Sequence, residues 1–201
     1  MPDGEGRIAF HMAAAGGQVA AVKLLRNMTH TTLATLVSAR DGDGHTPLHA
    51  AAERGHLKVV RQLLRWKAKL DDQSHRKSSP LHMAARHGHG PVLSFLLENS
   101  ADIKSQDETG AQPLHLAVRS GSMRAVQILL QAGAQVDSKN NEGKQPLHVA
   151  TGEGHDAIET LLLNARSDIR AAGVSQKQKT LARSPEDVKL SGLKAEIHGE
   201  F

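Results

Sequence analysis

Apolar residues recur along the chain in short clusters that have the spacing of one face of a helix. Polar segments rich in Asp, Asn and Gly separate these clusters. The pattern therefore predicts a series of amphipathic helices joined by polar turns. The four clearest clusters are Val59, Val60, Leu63 and Leu64; Val92, Leu93, Phe95, Leu96 and Leu97; Ala125, Val126, Ile128, Leu129 and Leu130; and Ile158, Leu161, Leu162 and Leu163.

A Pro-Leu-His tripeptide precedes each cluster, and its four copies lie 33 residues apart, with histidines at His49, His82, His115 and His148. A glycine follows each histidine after six residues, at Gly55, Gly88, Gly121 and Gly154. Phe10, His11 and Gly17 form a weaker first copy, 38 residues before His49. This copy therefore carries a five-residue insertion, which we place around residues 27–35.

Each copy has a physical logic of its own. Proline begins a first short helix at a position where its missing N–H costs nothing. Glycine ends that helix, because the left-handed conformation required there suits glycine best. The apolar cluster then forms a second helix. One such pair cannot bury its own apolar face, so the copies must stack on one another.

The period and the tetrapeptides TPLH, SPLH, QPLH and QPLH resemble the ankyrin repeat family. The resemblance implies an all-α solenoid of stacked helix-turn-helix units with β-turn or hairpin tips. It covers residues 1–172, with repeats at about 3–40, 41–73, 74–106, 107–139 and 140–172. It also implies that the four signature histidines are structural and form hydrogen bonds within and between repeats.

Residues 173–201 depart from the period, and we expect a degenerate, partly helical capping segment there. Ser184, Pro185 and Glu186 have the order of an N-cap, a first-turn proline and a first-turn acid. At the other end, the first copy begins without a polar cap, so we expect Phe10 and Met12 to be partly exposed.

Several substitutions within the pattern predict local costs. Thr46 and Ser79 place a hydroxyl before the first helix, whereas Gln112 and Gln145 cannot do so in the same geometry, so the later repeats should be looser there. The glycine expected after the second helix survives as Gly133 and is replaced by Lys67, Ser100 and Arg166. Each replacement would cost up to about 1 kcal/mol where the left-handed conformation is retained.

The remaining histidines do not indicate a metal or catalytic site. His56, His89 and His155 also follow the repeat period and are interpreted as structural. His87 and His89 beside His82 are the one metal candidate, and residues on separate repeats lie too far apart to converge on an ion. No phosphate-binding glycine loop or nucleophile elbow is present. We therefore expect neither an enzyme nor a cofactor.

Composition narrows the class further. The chain has 201 residues, is 39% hydrophobic and 23% charged, has no cysteine and carries a net charge of +4. Residues 1–40 hold four basic and two acidic residues, whereas residues 140–172 hold three basic and five acidic residues. This charge is too weak, and aromatic residues are too few, for a nucleic-acid binder. Without a secretory signal or a membrane-length apolar run, we expect an intracellular, monomeric protein of the cytoplasm or nucleus.

The resemblance implies that turn tips and the ends of first helices line a groove that binds protein partners. The unusual turn at residues 74–77 adds basic side chains to repeats 2 and 3. Trp66 is either an interface residue or packs over the next unit's second helix.

We hypothesise a protein-interaction module, adaptor or scaffold, that binds an acidic partner segment across repeats 2 to 4. The alternatives are a recruiting or targeting subunit of an enzyme complex and a fragment of a longer ankyrin protein. The candidate binding residues are Asp43, His45, Arg54, Trp66, His75, Arg76, Lys77, Arg86, His87, Thr109, Arg119, Glu142 and Lys144.

Overall fold

The computed structural model describes residues 8–28 and 32–181, with side chains for residues 8–27 and 32–168. These residues form eleven helices and no strand. The helices are α1 (Ala9–Ala15), α2 (Val19–Met28), α3 (Leu33–Ser38), α4 (Pro47–Glu53), α5 (Leu57–Arg65), α6 (Pro80–Arg86), α7 (Gly90–Glu98), α8 (Pro113–Arg119), α9 (Met123–Gln131), α10 (Pro146–Glu153) and α11 (Asp156–Leu181).

The helices alternate between two layers. The first helices α1, α4, α6, α8 and α10 pack in sequence against one another, and the second helices α2, α5, α7 and α9 form a parallel row. This arrangement confirms the predicted stack of helical pairs. The chain divides into two compact units, Met1–Leu162 and Leu163–Phe201, and both layers described here lie in the first.

The apolar core lies between the two layers. Leu48, Leu63, Leu81, Leu93 and Leu114 are at most 1% exposed. Burial of each such side chain contributes about 1.5–3 kcal/mol. Helices of seven to ten residues are marginal in isolation, so this packing between neighbouring repeats is what stabilises them.

The polar turns between repeats share one conformation. In each turn the first residue donates its N–H to the carbonyl four residues later, as from Asp107 to Ala111 at 3.0 Å. The side chain of that first residue also accepts backbone N–H groups of its own turn, as Asp41 does from His45 at 2.8 Å. Lys77 takes the glycine position with φ +54°, so the unusual basic turn keeps the shared shape at the cost of a strained residue.

Adjacent turn tips are joined by single backbone hydrogen bonds. His75 donates to Asp43 O at 3.0 Å, and Glu108 donates to Arg76 O at 2.9 Å. The next pair repeats the pattern, with Asn141 donating to Thr109 O at 2.9 Å. These bonds hold the tips of repeats 2 to 5 in register and form the projecting edge of the stack.

The first repeat differs from the expectation in two respects. Part of the inserted segment forms α3, whose Leu36 and Val37 are buried. Phe10 is only 2% exposed, so the prediction of partial exposure was wrong for this residue. Trp66 of the next repeat stacks against its ring and covers it. Met12 is 59% exposed, as expected.

The glycine replacements after the second helices have two outcomes. Lys67 and Ser100 adopt φ +65° and +69°, close to the +86° of Gly133, so the left-handed conformation is retained at both. Arg166 lies inside α11, which continues without a break to Leu181, so the left-handed conformation is not retained there and the conditional cost does not apply. Ser184, Pro185 and Glu186 lie outside the described residues.

Candidate partner-binding groove

The signature histidines connect each first helix to the following turn. His49 Nδ1 accepts the Thr46 N–H at 3.1 Å, and His49 Nε2 donates to Ser78 O at 2.9 Å. His82 Nε2 bonds Ala111 O at 3.2 Å and His115 Nε2 bonds Lys144 O at 3.1 Å in the same way. The predicted bonds within and between repeats are thereby confirmed for these three residues.

This geometry also determines their protonation. Because His49 Nδ1 accepts a backbone N–H, its single proton must lie on Nε2. Burial lowers the pKa of His49 from 6.5 to about 4 and also lowers the pKa values of His82 and His115. These imidazoles are neutral at pH 7. His148 is exposed and retains the bond from its own cap, Gln145 N at 3.0 Å.

The glutamines before α8 and α10 replace the hydroxyl by a different contact. Gln112 Nε2 donates to Lys104 O, and Gln145 Nε2 donates to Asp137 O, each at 3.3 Å. Thr46 and Ser79 instead place their hydroxyls 2.9 and 2.8 Å from the ring nitrogen. The glutamine side chains therefore reach back to carbonyl groups that precede the turns. This agrees with the prediction that glutamine cannot imitate the hydroxyl in the same geometry.

The second histidine series is structural. His56 Nε2 donates to Ala15 O and His89 Nε2 to Glu53 O, both at 2.8 Å and both in the preceding repeat. His87 and His89 have ring centroids 6.2 Å apart, but the described residues contain no group of three potential ligands that could hold a metal ion. His89 Nε2 already donates a hydrogen bond to the Glu53 carbonyl.

Predicted tip and helix-end residues of repeats 2 and 3 converge on one cavity of about 280 Å³. Asp43 and His45 come from one turn, Arg76 from the next, and Arg86 and His87 from the end of α6. Glu53, Ser74, Ser78 and Met83 complete the lining. The repeat geometry therefore brings together five of the candidate residues.

The groove carries both signs of charge rather than a purely basic patch. Arg76 Nε lies 3.7 Å from Glu108 Oε1, and His87 Nε2 lies 3.9 Å from Glu53 Oε1, all four groups being exposed. Desolvation disfavours the charged imidazole of His87 and lowers its pKa despite the opposing effect of Glu53. The positive charge of this groove comes from arginine.

The other candidate residues, apart from Trp66, lie at the ends of first helices and in the turns between repeats. Arg54 and Arg119 are exposed at the ends of α4 and α8, and His75 and Lys77 are exposed at their tip. The Thr109 hydroxyl donates to Asp107 Oδ1 within its own turn at 2.6 Å. Glu142 and Lys144 pair with each other at 2.8 Å, which lowers the pKa of Glu142.

Trp66 has a structural role that neither sequence interpretation described. Its ring stacks on Phe10, with centroids 6.4 Å apart and planes at 28°. The Arg26 guanidinium carbon lies 5.2 Å from the Trp66 ring centroid. Both contacts are to the preceding repeat, whereas one of the two sequence interpretations placed Trp66 over the following one. A half-buried ring held in this way closes repeat 1 onto repeat 2.

A second cavity of about 390 Å³ lies between repeats 1 and 2 and was not anticipated. Met12, Asp41, Asp43, Glu53 and Arg54 are among its lining residues. His11 also lines it and is 1% exposed, and within the described part of the chain its Nδ1 has no hydrogen-bond partner. The repeat register could have identified this cavity, since His11 and Met12 occupy the helix positions of His49 and Ala50.

Helical pairs stacked in two layers, with hydrogen-bonded turns projecting along one edge, define a helical repeat protein. A family model that describes three copies of the ankyrin repeat matches residues 1–74 and 81–172. The chain therefore belongs to the ankyrin repeat family. Ankyrin repeats are generally protein–protein interaction modules and are typically not enzymes. A search of curated proteins found no match. Within the described residues, no helix combines the length and apolarity that crossing a membrane requires.

Proposed function

We propose that this protein is a non-enzymatic adaptor or scaffold whose groove binds an extended segment of a protein partner across repeats 2 to 4. The observation that carries the proposal is the single cavity formed by Asp43, His45, Arg76, Arg86 and His87 from three separate elements. The tips that carry Asp43 and Arg76 are held by backbone hydrogen bonds to the neighbouring tips, so this part of the groove is formed before the partner arrives.

The charges of the groove suggest the chemistry of the partner. Arg54, Arg86 and Arg119 are exposed at the ends of three consecutive first helices, so they would bind carboxylates spaced along an extended chain. Asp43 and Glu53 lie at the repeat-2 end and would bind a basic residue. We expect a mainly acidic segment that carries one basic residue at this end.

Affinity capture with quantitative mass spectrometry tests the proposal. The groove variant is Arg76→Glu, Arg86→Glu and Arg119→Glu. Lys104→Glu, Arg124→Glu and Lys139→Glu form a control with the same charge change, at exposed residues outside the candidate set. Circular dichroism should show that both variants keep the helical signal of the wild type.

We expect a reproducible partner of the wild type to be lost from the groove variant and retained by the control. Retention of every partner by the groove variant would contradict the proposed site. A captured partner that is an enzyme subunit would indicate the recruiting role instead of a free-standing adaptor.

A further inference from the structure

The second-helix side of repeats 1 and 2 carries positive charge with no acidic residue in its own helices. Helices α2 and α5 contain no Asp or Glu, and they pack against each other. Their charged side chains, with those directly after α5, are all exposed. This basic face consists of Lys23, Arg26, Lys58, Arg61, Arg65, Lys67 and Lys69.

The basic face is opposite the buried side of α5. Val59, Val60 and Leu63 are fully buried, whereas Arg61 and Arg65 stand one turn apart on the exposed side. Like charges at this spacing repel each other. The pairing of these two arginines therefore does not stabilise the helix itself.

Two of the arginines are held in place by aromatic rings. The Arg61 guanidinium carbon lies 4.5 Å from the Phe95 ring centroid, and that of Arg26 lies over Trp66. Stacking uses the flat face of a guanidinium and leaves its N–H groups free to bind an anion. Among the described residues, Arg26, Arg61 and Arg65 have no carboxylate within 4.0 Å.

A small cavity of about 250 Å³ lies at the junction of α5 and α7. Arg61 and Arg65 form its basic side, Leu64 and Phe95 its apolar side, and Asn99 lies at the end of α7. A carboxylate or phosphate group between the two guanidinium groups could accept paired hydrogen bonds from both. The cavity therefore offers a discrete position for one anionic group within the wider basic face.

We propose that the basic face binds an acidic segment of a protein, with one anionic group placed between Arg61 and Arg65. This surface is distinct from the groove, and the two proposals can fail independently. A lipid surface is less well matched, because Trp66 is already packed on Phe10 and, among the described side chains of α2, Leu24 is the one exposed large hydrophobic residue. Single-stranded nucleic acid is also less well matched, since guanidinium groups already cover Trp66 and Phe95.

Binding of a fluorescent oligo-glutamate peptide to the full chain, followed by anisotropy at low salt, tests this proposal. Arg61→Gln with Arg65→Gln should weaken binding at least tenfold. The matched control Arg124→Gln with Lys139→Gln removes the same charge outside both surfaces and should change binding less than twofold. Equal losses in the two variants would overturn the proposal, because net charge alone would then determine binding.

A conservative variant separates the anion site from general attraction. Arg61→Lys with Arg65→Lys keeps the charge but loses the planar fork, and we expect binding at least fivefold weaker than that of the wild type. Wild-type affinity in this variant would contradict an anion held between the two residues.

Two measurements on the wild type complete the test. Titration of the peptide should shift the side-chain Nε–Hε NMR signals of Arg61 and Arg65 before those of Arg86 and Arg119, and the reverse order would place the site in the groove. Binding to phosphatidylserine vesicles or to DNA that is tighter than peptide binding would also overturn the proposal in favour of those ligands.

Discussion

Single residues in this protein are constrained chiefly by the neighbour in the next repeat. Gly55 adopts φ +74°, and a Cβ placed on it would lie 2.6 Å from His89 Nδ1. The imidazole of one repeat thus packs directly on the glycine backbone of the repeat before it. This contact explains why glycine and the second-series histidine recur together at the repeat period.

We expect Gly55→Ala to lower the free energy of unfolding by about 2 kcal/mol. About half of this comes from the left-handed backbone and about half from the displaced hydrogen bond of His89 to Glu53 O. Gly152→Ala is the matched control, because Gly152 lies within α10 and nothing approaches within 4 Å of its added Cβ.

Urea denaturation of the two variants provides the measurement. The control should gain about 0.5–1 kcal/mol from better helix propensity. A loss of only about 1 kcal/mol for Gly55→Ala would show that crowding by His89 is unimportant, because the left-handed backbone alone accounts for that much.

Neighbouring elements are linked by buried neutral imidazoles, which makes the contact between a first helix and the next turn sensitive to acid. Four such histidines have pKa values lowered mainly by burial, and that of His49 falls to about 4. The unfolded chain, with a histidine pKa near 6.5, binds more protons than the folded chain below that pH. Their contribution to stability is therefore complete above pH 6.5 and is lost as the pH falls toward 4.

The free energy of unfolding should fall steeply between about pH 6.5 and about pH 4.5. His49 alone accounts for a loss on the order of 2 kcal/mol by about pH 5. Urea denaturation at a series of pH values measures this slope, and ¹H–¹⁵N NMR of the imidazoles should show Nε2 protonated and Nδ1 unprotonated at pH 7. Constant stability across this range would refute the assignment of neutral, proton-accepting Nδ1 atoms.

At the level of the whole molecule, the basic face and the groove differ in the charges that they carry. The basic face of α2 and α5 contains seven cationic groups and no acid in its own helices. The groove mixes arginine with Asp43 and Glu53. Repulsion on the basic face therefore opposes folding wherever salt does not screen it.

The unfolding midpoint should rise by a few degrees when NaCl is increased from about 20 mM to about 200 mM, since screening reduces this repulsion. The gain should be smaller in Arg61→Gln with Arg65→Gln than in Arg124→Gln with Lys139→Gln. Differential scanning fluorimetry measures both. A midpoint that falls with salt would mean that attractive ion pairs outweigh the repulsion.

Much of the fold could be predicted because the same local sequence features recur in each repeat. The periodic proline, histidine and glycine positions predicted the helix starts, the left-handed turns and the structural role of His49. Irregular segments were less predictable. The insertion before Arg40 contributes to α3, which buries Leu36 and Val37, and α11 continues past Arg166, where the repeat pattern would place a turn.

The candidate site was predictable only in outline. The register of the repeats correctly grouped Asp43, Arg76 and Arg86, because equivalent positions of a stacked repeat lie side by side. It did not predict that Trp66 packs back onto Phe10, nor that Arg61 lies over Phe95. Those contacts depend on side-chain directions across the boundary between repeats, which a one-dimensional period does not contain.

The sequence by itself therefore determined the helical repeat, its turns and its buried histidines, since these follow from contacts close along the chain or from positions that recur every 33 residues. Only the tertiary structure decided which charges face one another. It separated the mixed groove from the basic face of α2 and α5, and it placed Arg61 and Arg65 beside a cavity. The physical reason is that charge complementarity is a property of surfaces, and surfaces exist only once the repeats have stacked.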